Sequence, residues 1–308
     1  MGGSGGSVFH DYNPKKLSER IRQTENKTVN ESFEVELSDS LTGLLAYYND
    51  RDTETINTRL SSILGSIDEN IDGHVNTLFG GSVSKHTYVD GLSDIDSLII
   101  LDNSDLVDGN PSQIIQYIAD LIKTANADLD VETGNIAITI SYDDGMSIQL
   151  LPALKTEEEL RVPSWKGNTW SNIEPERFGK ALTKRNEKCG MKLVPMIKLA
   201  KAINAGITEE LRLTGYHLES LAIEAFRGYK DSCTLTKMLP HFFDRAKDLV
   251  LSPIVDKSGQ SLHVDEYLGE KNSAERTQVS HVLNRLSRRM KNATAANAKE
   301  QWLSLFED

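Results

Sequence analysis

The chain is 308 residues long and carries 46 acidic against 34 basic side chains, a net charge of −12. That length supplies ample material for one large domain or two medium ones, and the acidic balance excludes a protein that coats duplex nucleic acid with its whole surface. Two cysteines, Cys189 and Cys233, are too few for a disulfide framework or a multi-cysteine zinc site, and no run approaches the roughly 18 consecutive apolar residues of a membrane span, so the expectation is a cytoplasmic protein with no membrane contact and no zinc.

Residues 1–7, MGGSGGS, read as a flexible linker and are set apart from fold reasoning. Residues 8–52 are polar and mixed, with apolar clusters near Val35–Leu37 and Leu41–Tyr48. Over Thr53–Ile71, Ile56, Leu60, Ile63, Leu64 and Ile67 recur at three- and four-residue steps, which predicts a helix with one apolar face. The period then changes. Val75–Phe79 and Ile95–Leu101 are short apolar runs of strand length, and Pro111–Thr124 returns to a helical pattern with proline suited to its first turn. Residues 129–142 alternate as a strand, Asp144-Gly145 signals a hairpin, and Met146–Leu151 is the return strand, expected to stop at Pro152. Residues 155–172 read as a loop-rich passage. Beyond Glu174 most segments are helical, including Met191–Ala205, Tyr216–Phe226, Thr234–Val250 and Ser273–Lys291. A mixed first half and a helical second half predict two lobes, with domains at 8–160 and 161–308.

The chemistry concentrates between residues 78 and 100. Gly81-Ser82 follows a predicted strand, where glycine permits close backbone approach to a phosphate and the serine hydroxyl adds a donor. Asp94-Ile95-Asp96 opens the next strand, and side chains two apart on a strand share a face. Two such carboxylates repel each other unless a cation lies between them, and an oxygen-rich pair suits Mg²⁺. Alone, Gly-Ser after a strand is ordinarily a turn, and an isolated Asp-x-Asp a solvated strand end. Together they form one pattern: apolar strand, Gly-Ser, spacer, acid-apolar-acid.

That pattern resembles the signature of the DNA-polymerase-β-like nucleotidyltransferase superfamily. With Thr87 and Ser93 in the spacer, the chain is similar to its cGAS/DncV-like branch, the second messenger oligonucleotide or dinucleotide synthetases (SMODS), and more distantly to oligoadenylate synthases. The resemblance implies an α+β fold: a polymerase-β-like core of mixed sheet and helices, plus an α-helical lobe of the oligoadenylate-synthase type, with a cleft between them. It implies Mg²⁺, with Mn²⁺ as a substitute, held by Asp94 and Asp96. Nucleoside triphosphates would be bound by Gly81, Ser82, Thr87 and Lys198, the last from Lys192–Lys201, which resembles the family's triphosphate-binding helix. Tyr216, in Thr214-Gly215-Tyr216-His217-Leu218-Glu219, would stack on a base, or simply pack in the core. The implied activity is template-independent joining of ribo- or deoxyribonucleotides into a cyclic or linear oligonucleotide signal in bacterial anti-phage defence. The implied partners are a retained oligonucleotide product and a downstream effector protein.

One position departs from the family. The third catalytic strand normally reads acid-apolar-apolar-Pro-Ala, and here it reads Gln149-Leu150-Leu151-Pro152-Ala153. A glutamine carbonyl can still face a metal, but one negative charge is gone. Three readings of Gln149 stay open: natural divergence, an introduced inactivating change, or an alternative acid such as Glu132 or Asp143. A catalytically weakened nucleotide-binding sensor, and an enzyme that modifies a protein or RNA acceptor, are the competing functions. Two basic clusters, Lys180–Lys192 and Arg285–Lys291, are either solvated faces or guides for an oligonucleotide.

Overall fold

A computed structural model describes residues 14–49, 53–71, 74–79, 85–89, 95–102, 106, 109–156, 159–164, 168–258 and 262–307. The first element is one long helix, α1 (Pro14–Tyr47), followed by α2 (Thr53–Asp68). The mixed stretch with two apolar clusters is thus a single helix. Its buried residues Phe33, Leu37 and Leu41 are spaced by four, and they pack with the helical second half of the chain.

A mixed sheet follows. Strands β1 (His74–Phe79) and β2 (Ile95–Asp102) are antiparallel, and β2 runs parallel to β5 (Ser147–Lys155). On the far side of β5 lie β4 (Ile138–Ser141) and β3 (Asp130–Thr133), each antiparallel to its neighbour. The alternation read over 129–142 is therefore two strands. Gly134 donates its N–H to the Ala137 carbonyl at 2.8 Å and closes a turn between them. The Asp144-Gly145 hairpin forms as read: Gly145 takes a φ of 86°, and Tyr142 N–H bonds the Met146 carbonyl at 3.0 Å.

Pro152 does not end β5. Pairing with β4 finishes at Leu150, and pairing with β6 (Leu160–Pro163) begins at Leu154. Pro152 thus lies where that edge of β5 has no partner strand, a place that tolerates a missing N–H. The supposed loop passage supplies β6 and β7 (Trp170–Asn172), which extend the same sheet.

Helix α3 (Pro111–Ala125) covers one sheet face. The Asn110 side chain accepts from Ser112 N–H, Pro111 opens the first turn, and Ile114, Ile115, Ile118, Ala119 and Ile122 are buried. With α2 they enclose Ile99, Leu101, Ile138, Ile140, Ile148 and Leu150 in one core. The helical half comprises α4 (Pro175–Lys188), α5 (Leu193–Ala205), α6 (Gly215–Ala225), α7 (Leu235–Leu249), α8 (Ala274–Ala295) and α9 (Lys299–Leu303) around a second core. Among the described residues, no helix is long and apolar enough to cross a membrane.

Candidate active site

The parallel register of β2 and β5 sets Asp96 beside Gln149 and Ile95 beside Ile148. The sheet thus aligns the strand that begins at the acidic motif with the strand whose expected third acid is a glutamine. The same row continues through Thr139 to Glu132. Glu132 is exposed and two strands from Gln149, about 10 Å away at the usual strand spacing. Asp143 is exposed in the hairpin turn. Neither alternative acid is a register partner of Asp96, whose neighbour on β5 is Gln149. Gly81, Ser82, Ser93 and Asp94 lie outside the described residues, as does the side chain of Asp96. Among the described residues, no group of three His, Cys, Asp or Glu side chains is placed to hold a metal.

A second constellation joins the chain just beyond Gly81-Ser82 to the helical half. Residues 85–89 act as a strap between the two cores: Tyr88 is buried in the sheet core and Val89 in the helical core. Glu219 on α6 is 1% exposed. Its carboxylate accepts from Lys85 Nζ at 2.5 Å, from Lys201 Nζ at 2.9 Å and from the Thr87 hydroxyl. Lys201 Nζ also donates to the Thr87 carbonyl at 3.1 Å. Burial alone would raise the Glu219 pKa, but the charges of Lys85 and Lys201 and the bonds from Lys85 and Thr87 outweigh it and hold it down at about 2. Gly215 opens α6 where a Cβ would come within 3.3 Å of Lys201 Cε and Nζ, so glycine makes room for the ammonium.

Lys85 Nζ also lies 4.8 Å from the ring centre of Phe178 and 5.0 Å from that of Tyr216. Those two rings pack at 4.7 Å. The Tyr216 hydroxyl donates to Asp256 Oδ1 at 2.6 Å, and the same oxygen accepts from Ser258 N–H and Oγ. Burial and the Asp256 carboxylate raise the Tyr216 pKa, which keeps the hydroxyl protonated. Lys198 is buried one helical turn before Lys201, and its ammonium donates to the Asn49 side chain just beyond α1.

The structure therefore brings Thr87 and Tyr216 to one network, Gln149 to the register position of Asp96, and Lys198 to Asn49. Thr87 is fully buried with its hydroxyl on Glu219. His86 is exposed with a φ of 57°. His217 and Glu219 face different partners, as their spacing requires: His217 Nδ1 meets the Tyr267 hydroxyl at 2.9 Å. Sequence reasoning missed Lys85, Lys201, Glu219 and Phe178. The available signal was polarity out of place, since Lys198, Lys201 and Glu219 interrupt α5 and α6, which are otherwise largely apolar, and buried charges need partners. In the basic clusters, Lys180 pairs with Glu176 at 2.7 Å and Lys291 with Asp244 at 3.0 Å.

The family model described as the Second Messenger Oligonucleotide or Dinucleotide Synthetase domain matches residues 28–186, just over half of the chain. No curated protein matches the sequence. Among solved structures, CdnC of E. coli MS115-1 with ATP aligns at a TM-score of 0.64 and 15% identity, over 83% of this chain and 91% of that one. CdnG of Bradyrhizobium diazoefficiens with GTP aligns at 0.65 and 14% identity, over 87% and 94%. The Vibrio cholerae cyclic AMP-GMP synthase DncV aligns at 0.61 and 12% identity, over 94% and 89%. At these identities the likeness to solved structures is one of fold.

Proposed function

The chain belongs to the Second Messenger Oligonucleotide or Dinucleotide Synthetase family and is a nucleotidyltransferase; we propose that it joins nucleoside triphosphates without a template, in the presence of Mg²⁺ or Mn²⁺, into a cyclic or linear oligonucleotide signal. The observation that carries this reading is the register of Asp96 against Gln149, which supports a composite site built from both strands.

In this reading Asp94 and Asp96 supply hard, anionic oxygens that fit a divalent ion, and the Gln149 amide oxygen supplies a neutral one. The chemistry the ion supplies when bound is charge neutralisation on the triphosphate and a lowered pKa for the attacking hydroxyl. Gly81 and Ser82 hold the phosphates through backbone N–H groups and the serine hydroxyl. Lys198 neutralises the tail from the helical side. It already donates to the neutral Asn49 amide, and a phosphate oxygen forms a stronger, charge-assisted bond than an amide does. Tyr216, with its hydroxyl fixed by Asp256, offers a ring of defined plane for a base. The acceptor nucleotide's hydroxyl gives up its proton to water, its oxygen attacks the α-phosphorus, the bond from the α-phosphorus to the bridging oxygen breaks, and pyrophosphate leaves. Positioning carries the rate, since little covalent work falls to the protein.

The domains follow the chemistry, with residues 8–160 catalytic and 161–308 binding the substrate from the helical side. The cellular setting is cytoplasmic anti-phage defence, in which an effector protein reads the product. A second reading, a weakened nucleotide-binding sensor, is favoured by Gln149 standing in the row of Asp96. Incubation with labelled nucleoside triphosphates and Mg²⁺ separates the two. The enzyme yields discrete labelled products. Binding without turnover, with turnover restored by Gln149→Asp, establishes the weakened form instead.

A further inference from the structure

We propose that Glu219 is a positioning residue for the triphosphate: from the helical half it fixes the strap of residues 85–89, which follows Gly81-Ser82 closely in sequence, and so sets nucleotide affinity. The inference rests on the nucleotidyltransferase reading given above. Its own support is geometric. Glu219 is the one carboxylate, among the described residues, that Lys85, Lys201 and Thr87 share. Two of those three donors, Lys85 and Thr87, come from the strap, while Lys201 comes from α5. The strap cannot move towards or away from the helical half without breaking these bonds, because Val89 is also fixed in the helical core and Tyr88 in the sheet core.

The two carboxylate oxygens divide the work. Oε2 takes Lys85, while Oε1 takes Lys201 and Thr87. The Lys85 side chain is 14% exposed, against 8% for Lys201, so it is the outermost member of the group. The Phe178 and Tyr216 rings beside its ammonium give it a second, weaker hold. Lys85 therefore links the strap to Tyr216 as well as to Glu219. An amide at position 219 keeps one acceptor for Lys201 and Thr87 but turns a donor towards Lys85. Glu219→Gln thus releases the strap's outer tie while sparing the buried one.

The test compares wild-type protein with Glu219→Gln, Lys85→Met and the double variant. Steady-state kinetics and equilibrium binding of nucleoside triphosphate are measured, alongside trypsin cleavage after Lys85. The proposal expects each single variant to raise KM and Kd about tenfold, the scale of one charge-assisted hydrogen bond, with kcat changed less than about threefold. The double variant adds nothing further, because both changes remove the same tie. Cleavage after Lys85 accelerates in Glu219→Gln, a readout that needs no nucleotide. A purely structural role lowers kcat with the folded fraction and leaves KM and Kd alone, and that result overturns the proposal. Unchanged affinity with accelerated cleavage overturns it too, since the strap would be released without consequence. Wild-type protein that binds no nucleoside triphosphate overturns the underlying reading, and the wild-type measurement alone reveals that case.

Discussion

His217 and Glu219 lie two residues apart on α6, the first held neutral and the second ionised. Burial drives the His217 pKa down from 6.5 to about 4, with the Asp265 carboxylate opposing and Arg276 reinforcing the shift. Glu219 stays ionised down to about 2. The sign of each contribution follows from linkage. The unfolded chain takes up a proton at His217 below pH 6.5, which the folded protein refuses until about 4, so stability falls as pH drops through that window. Glu219 contributes fully above 4.5, and its share is lost as pH falls towards 2. The His217 share is on the order of 3 kcal/mol. Urea unfolding from pH 7 to 4 should show this decline, and His217→Gln should flatten it. An unchanged slope in that variant contradicts the assignment. A two-residue step on a helix turns these side chains apart, but their partners come from loops and helices elsewhere in the chain, which spacing cannot specify.

The elements were legible where one local signal dominated. Helix α3 combines an Asn110 cap, Pro111 in the first turn and a clean apolar stripe, and it forms within a residue of its expected bounds. Its terms are separable. Asn110→Ala should cost about 1 kcal/mol through the lost cap, and Ile118→Ala about 2–5 kcal/mol through a core cavity, both read from urea midpoints at constant slope. Equal costs would contradict this ordering. Elements were misread where a turn or a proline had two meanings. Gly134 splits one apparent strand into β3 and β4. Pro152 is tolerated because β5 changes partners around it, a tertiary fact invisible in the strand itself. In α1 the polar faces hid the four-residue spacing of Phe33, Leu37 and Leu41.

At the scale of the molecule, α1 belongs to the helical core, and the strap at 85–89 holds one residue in each of the two cores. The mixed first half and helical second half were readable from the change of period. The joining of the two was not, because it depends on Lys85 finding Glu219, 134 residues further along the chain. The motif Gly81-Ser82 with Asp94-Ile95-Asp96 was read through its resemblance to a known family and lies largely outside the described residues, and the register that sets Asp96 beside Gln149 adds what the sequence could not. The most direct measurement is pyrophosphate release from nucleoside triphosphates as Mg²⁺ is added, for the wild type and for Asp94→Ala combined with Asp96→Ala. The account predicts Mg²⁺-dependent release by the wild type and a loss of about a thousandfold or more in the double variant. Release by the double variant at the wild-type rate would contradict it.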